Sequence, residues 1–151
     1  MALSEFSVTG GLSAALPAMI QNVCTGHHIA RSGDWSYDNG LCAYAGDVIG
    51  GPTRWFFLQY QENYFKIRNQ KYDNWVIANS GGEILAHNGS DYPDQYWSIE
   101  RAPGRPGAVR LLNRMYGVYL YDPNPPGRTG ALGAGPVKAG EEARWDWRLL
   151  G

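Results

Sequence analysis

Residues able to do chemistry are concentrated in two short stretches. Asp34-Trp35-Ser36-Tyr37-Asp38-Asn39 places two carboxylates, an amide and two aromatic rings within six residues. His87-Asn88-Gly89-Ser90-Asp91-Tyr92, with Gln95 close behind, offers an imidazole, an amide, a carboxylate and a ring. Planar donors and acceptors set against a ring are what a sugar requires, because it presents hydroxyls around an apolar C–H face. The candidate ligand-binding residues are therefore Asp34, Trp35, Tyr37 and Asn39 in the first stretch, and His87, Asn88, Asp91, Tyr92 and Gln95 in the second. The first holds acceptor, amide and ring most closely together and ranks narrowly above the second. Both also have a structural reading: rings can cap the end of a β core, Asn88-Gly89 is a hairpin-turn dipeptide, and a glutamine beside a buried tryptophan fixes a backbone turn. A third group, Tyr119, Tyr121, Asp122 and Asn124, runs into the proline-rich segment 123–127 and reads as a stiff turn.

Other chemistries find little support. His27-His28 is the one adjacent pair of metal-ligand type, but neighbouring strand residues point to opposite faces, so neither a metal nor any cofactor is expected. The three histidines have no Gly-x-Ser-x-Gly elbow and no Cys/His signature with them. Gly133-Ala134-Gly135 is followed by Pro136 and lies between strands, where it cannot cradle a phosphate. An enzyme is not expected. The formal charge of -1, with basic residues scattered from Arg31 to Arg148 and never in a run, argues against a nucleic-acid partner. The segment 1–20 has no positively charged leader region and is broken by Pro17, so neither a secretion signal nor membrane insertion is expected. The compartment stays open between cytoplasm and non-classical release, and a homodimer is left open.

The elements that must position these residues are short strands. Twenty glycines and nine prolines, with 6 Trp, 10 Tyr and 4 Phe among 151 residues, favour strands joined by many turns. That length suits one hydrophobic core and a single domain spanning 1–151. Three repeats run through it. Trp55, Trp97 and Trp145 lie 42 and 48 residues apart, each with a large apolar residue two positions on, at Phe57, Ile99 and Trp147. Asn22, Asn69 and Asn113 precede them in phase, and Ile29, Val76 and Leu120 each follow an asparagine by seven residues. Leu41-Cys42, Ile84-Leu85 and Ala131-Leu132 then supply a further short strand per unit, which makes Cys42 a core position. Each unit is about four strands, with approximate bounds 18–60, 64–102 and 108–151. A helix over Leu12 to Val23 is rejected because Gly10-Gly11 and Pro17 interrupt it. No unit of this size buries its apolar face alone, so three must share one core.

With three repeats each built around a tryptophan, the chain resembles the ricin B-type (R-type) lectin family, whose repeats each end in Gln-x-Trp. Gln95-Tyr96-Trp97 matches in full, whereas Thr53-Arg54-Trp55 and Ala143-Arg144-Trp145 keep the tryptophan alone. The resemblance implies an all-β fold, a pseudo-threefold β-trefoil of about twelve short strands, and a lectin whose partners are glycans or glycoconjugates held in loop pockets. Galactose-binding members place an aspartate where this chain has Ala30, Ile77 and Tyr121, and an aromatic platform where it has Ala43, Ala86 and Gly133, with Tyr44 and His87 nearby. Family members that are secreted bridge two cysteines within a repeat; Cys24 and Cys42 are either such a pair or two free thiols. Trefoils also serve as protein binders, so a protease inhibitor or a toxin receptor-binding subunit is the rival expectation.

Overall fold

The computed structural model describes residues 16–31, 41–47, 50–61, 63–78, 81–87 and 92–151. Twelve short strands are formed among them. The first unit carries β1 (Met19–Asn22), β2 (His28–Arg31), β3 (Leu41–Tyr44) and β4 (Trp55–Tyr60). The second carries β5 (Tyr64–Asn69), β6 (Trp75–Ala78), β7 (Ile84–His87) and β8 (Trp97–Arg101). The third carries β9 (Val109–Asn113), β10 (Tyr119–Tyr121), β11 (Gly133–Gly135) and β12 (Trp147–Leu150). Where strand residues alternate, as in Tyr64-Phe65-Lys66-Ile67-Arg68-Asn69, every second side chain is buried and the others face out.

The first and last strands of each unit close a six-stranded barrel. The antiparallel pairs β12–β1, β4–β5, β5–β8, β8–β9 and β9–β12 make five of its seams. The sixth joins β4 to the residue before β1, with Ala18 and Trp55 exchanging two backbone hydrogen bonds of 2.8 Å. The hairpins β2–β3, β6–β7 and β10–β11 cap one end, pairing Ile29 with Ala43, Val76 with Ala86 and Leu120 with Ala134. This arrangement is a β-trefoil.

Threefold order is carried by repeated side-chain bonds. Each buried asparagine closes the turn after the first strand of its unit: Asn22 Oδ1 accepts from the N–H groups of Cys24 and Thr25, Asn69 from Lys71 and Tyr72, and Asn113 from Met115 and Tyr116. Their amides donate backwards into the preceding unit, to the carbonyls of Arg144, Pro52 and Asp94. Each turn ends four residues on in a left-handed conformation, at Gly26, Asp73 and Gly117, with φ of 76°, 60° and 63°. Glycine suits that geometry, and aspartate is among the few other residues that tolerate it.

One sequence expectation is corrected here. The core tryptophans are Trp55, Trp97 and Trp147, all fully buried, with indole N–H groups donating to Ile29 O at 2.8 Å, Val76 O at 3.0 Å and Leu120 O at 3.0 Å. Trp147, not Trp145, is the third repeat's counterpart, and Leu149 is its apolar neighbour two positions on. The motif position of Gln95 is then held by Thr53 in the first unit and by Trp145 in the third. The cap strand of the third unit likewise begins at Gly133, two residues later than Ala131-Leu132 suggested, although Leu132 is buried in the same core.

Candidate functional site

In the second unit, the end of β7 and the 3-10 turn before β8 bring together an imidazole, a phenol and a carboxylate. Pairing of Val76 with Ala86 turns Ala86 inward, so the next residue, His87, faces out opposite Trp75. The register makes Tyr44, His87 and Gly135 equivalent in the three hairpins, each following the residue paired with Ile29, Val76 or Leu120. The Tyr92 ring, 52% exposed, meets His87 edge-on with centroids 6.3 Å apart and planes at 66°. Pro93 starts the turn Pro93–Gln95, and its geometry is anchored from the third unit by Asn113 Nδ2, which donates to Asp94 O at 2.9 Å.

Asp94 completes the group. Its Oδ1 is buried and accepts no hydrogen bond from any described residue. Burial raises the carboxyl above the usual aspartate range, while the charge of His87 and the residue's own backbone N–H pull it partly back. The result is a half-buried carboxylate near the His87 imidazole, with one oxygen unengaged beneath the surface. Gln95, by contrast, is fully buried, as its motif role beside Trp97 allows, and offers a ligand no surface. Asn88 and Asp91 lie outside the described residues, as do Asp34, Trp35, Tyr37 and Asn39.

Among the described residues, neither of the other units offers the same set. In the third, Gly135 stands where His87 does and offers no ring, and Tyr121 is stacked on Trp145 at 4.6 Å and 16°. Asp122 is fully buried: its Oδ2 accepts from His27 Nδ1 at 2.7 Å and Thr25 Oγ1 at 2.6 Å, and its Oδ1 accepts from Asn124. Its acceptors are thus engaged, consistent with a structural turn. The other ring nitrogen of His27 accepts from the Gly127 N–H at 3.2 Å, so both nitrogens of that buried histidine are occupied within the fold. His28 faces the other way, and burial together with the neighbouring His27 lowers its pKa. In the first unit, the described residues give Tyr44 in the place of His87 but Pro52 where Asp94 stands. Among the described residues, no group of three or more His, Cys, Asp or Glu could hold a metal ion. Cys24 and Cys42 are both free thiols, the first exposed and the second buried.

Asp94 and Trp75 are the site residues that sequence reading did not select. The available signal for Asp94 was its place three residues before Trp97, in register with Pro52 and Arg144. For Trp75 it was cross-strand pairing with His87, which no local pattern announces.

No family model matches the sequence, and no curated protein matches it. Solved structures do match the fold. SeviL, solved bound to the asialo-GM1 saccharide, superposes with a TM-score of 0.72 at 20% identity, covering 89% of this chain and 95% of that one. The designed threefold-symmetric protein ThreeFoil gives 0.71 at 16% identity, covering 89% of this chain and 98% of its own. A proteinase inhibitor from Coprinopsis cinerea gives 0.70 at 14% identity, covering 89% of this chain and 95% of that one. At these identities the likeness establishes the β-trefoil fold and nothing finer.

Proposed function

We propose that this protein is a glycan-binding module without catalytic activity, and that the second unit carries its sugar site. The observation that supports this reading is the grouping of the outward His87, the exposed Tyr92 and the half-buried carboxylate of Asp94 at the end of β7 and the turn before β8. A sugar ring laid against Tyr92 or His87 would give its C–H face to the aromatic surface and a hydroxyl to the carboxylate. The contact is small, so a single site binds weakly and selectivity comes from which hydroxyl meets Asp94. The fold is also that of a saccharide-bound protein, which is compatible with this reading, and of a proteinase inhibitor, which is compatible with its rival.

A glycan array probed with wild-type protein and with the His87→Ala/Tyr92→Ala variant tests the proposal. Retained signal for a defined glycan group in the wild type, lost in the variant, is the expected result. An empty array together with inhibition of cysteine or serine proteases would replace the lectin reading with the protein-binding one.

A further inference from the structure

The absence of a basic run in the sequence does not prevent a basic face in the fold. On β5 the outward residues are Tyr64, Lys66 and Arg68, alternating with buried Phe65, Ile67 and Asn69. Lys66 Nζ sits 4.0 Å over the Trp75 ring, and the Arg68 guanidinium lies 5.1 Å from the ring of Phe56 and 6.0 Å from that of Trp75. On the adjoining turn, Arg31 from β2 and Lys71 both lie over one more ring, Tyr72, at 4.9 Å and 5.4 Å. Four cations from two units are thus held on three rings. Arg68 also pairs with Asp73, a side chain 72% exposed, and Arg31 donates to Asn74 Oδ1.

We propose that this wall of the second unit binds an anionic, sulfated polysaccharide that continues outward from the His87 pocket; the choice of a polysaccharide rests on the glycan reading of that pocket. Three physical points support it. A cation packed on a ring has its stem fixed and its head aimed, so little side-chain freedom remains to be lost when an anion arrives. Lys66 and Arg68 are two residues apart on one strand, about 6.7 Å along it, which suits a polymer carrying charge at regular intervals. Trp75 lies opposite His87 across the β6–β7 hairpin, so the wall begins where the pocket ends. Single-stranded nucleic acid fits less well: it binds largely by stacking bases on uncovered rings, and these rings are covered by cations.

The test is titration with heparin, fully desulfated heparin and oligothymidylate at low and physiological salt. The proteins are the wild type, Lys66→Gln/Arg68→Gln, Lys71→Gln and His87→Ala/Tyr92→Ala, each checked by a circular-dichroism melt. Heparin should bind at least about tenfold tighter than its desulfated form, and Lys66→Gln/Arg68→Gln should weaken it about tenfold with a shallower salt dependence. Should that double variant unfold, Lys71→Gln, on the exposed turn, must show the same direction of loss. Equal binding of both heparins, or unchanged heparin affinity in folded variants, overturns the inference and leaves the pocket reading standing. Tighter binding of oligothymidylate than of heparin also overturns it. Heparin binding that depends on Lys66 and Arg68 in a protein whose array is otherwise empty, and that ignores His87→Ala/Tyr92→Ala, upholds the wall and removes the pocket.

Discussion

Replacing Asn113 by alanine should damage both stability and binding, whereas the same change at Asn22 should damage stability alone. Asn113 is fully buried and makes three bonds: its oxygen accepts from the Met115 and Tyr116 N–H groups at 3.1 and 3.2 Å, and its amide donates to Asp94 O at 2.9 Å. Alanine fills none of these roles. At a net 0.5–1.5 kcal/mol per bond, with the abandoned backbone groups partly buried, the loss is about 2–4 kcal/mol. For a chain of this size that lowers the melting temperature by about 5–15 °C. Asn22 and Asn69 make the matching bonds in their own units, so Asn22→Ala and Asn69→Ala should fall in the same range. Asn113 differs in what it anchors, because the carbonyl it holds belongs to Asp94. Differential scanning calorimetry of the three variants, with glycan titration at a temperature where all are folded, separates the effects. A near-neutral variant at any of the three positions would refute the threefold pinning, and equal glycan affinity in the Asn113 and Asn22 variants would remove Asp94 from the site.

Further outcomes follow from the same contacts. Trp97→Ala should cost about 3–5 kcal/mol in a thermal melt, since it empties a fully buried ring position and strands the Val76 carbonyl, whereas Trp35→Ala should cost little if that ring serves a loop. Because burial raises the Asp94 carboxyl, the ionised form is the one the fold disfavours, and any stability from this group is present at low pH and lost as pH rises through its folded-state pKa. Binding runs the other way, as the carboxylate is the acceptor: affinity should fall on acidification at a pH above the ordinary aspartate range, and Asp94→Asn should flatten that profile. Cys42, its thiol pushed up to about 12 by burial and then by the charge of Asp122, should resist a thiol reagent at pH 8, while exposed Cys24 reacts; two labelled thiols in the native protein would contradict this.

Much of the architecture could be read from asparagine, tryptophan and apolar spacing, because each landmark has a fixed geometric task repeated in each unit. Where the spacing misled, the cause was local ambiguity. Trp145 and Trp147 both satisfy a two-residue period and both are buried, and only the bond from Trp147 to Leu120 O distinguishes the core position. Gly133-Ala134-Gly135 presents a single methyl by which to count strand parity, so the third cap strand was placed early. His27 and Asp122 meet across 95 residues, and nothing near either announces the other. Arg31 and Lys71 come to share the Tyr72 ring for the same reason: the trefoil brings units together that the chain keeps apart. The chemistry of the second stretch was legible in His87 and Tyr92 because exposed rings on turns stand out by type. Asp94 was not, since its significance lies in a buried oxygen and in a carbonyl held by Asn113.

The most direct test is a structure of the protein with the best glycan from the array. The sugar should lie against His87 or Tyr92, with one hydroxyl within hydrogen-bond distance of the Asp94 carboxylate. A sugar seated instead on the 32–40 segment of the first unit, or over Tyr121 in the third, would contradict the assignment of the site to the second unit.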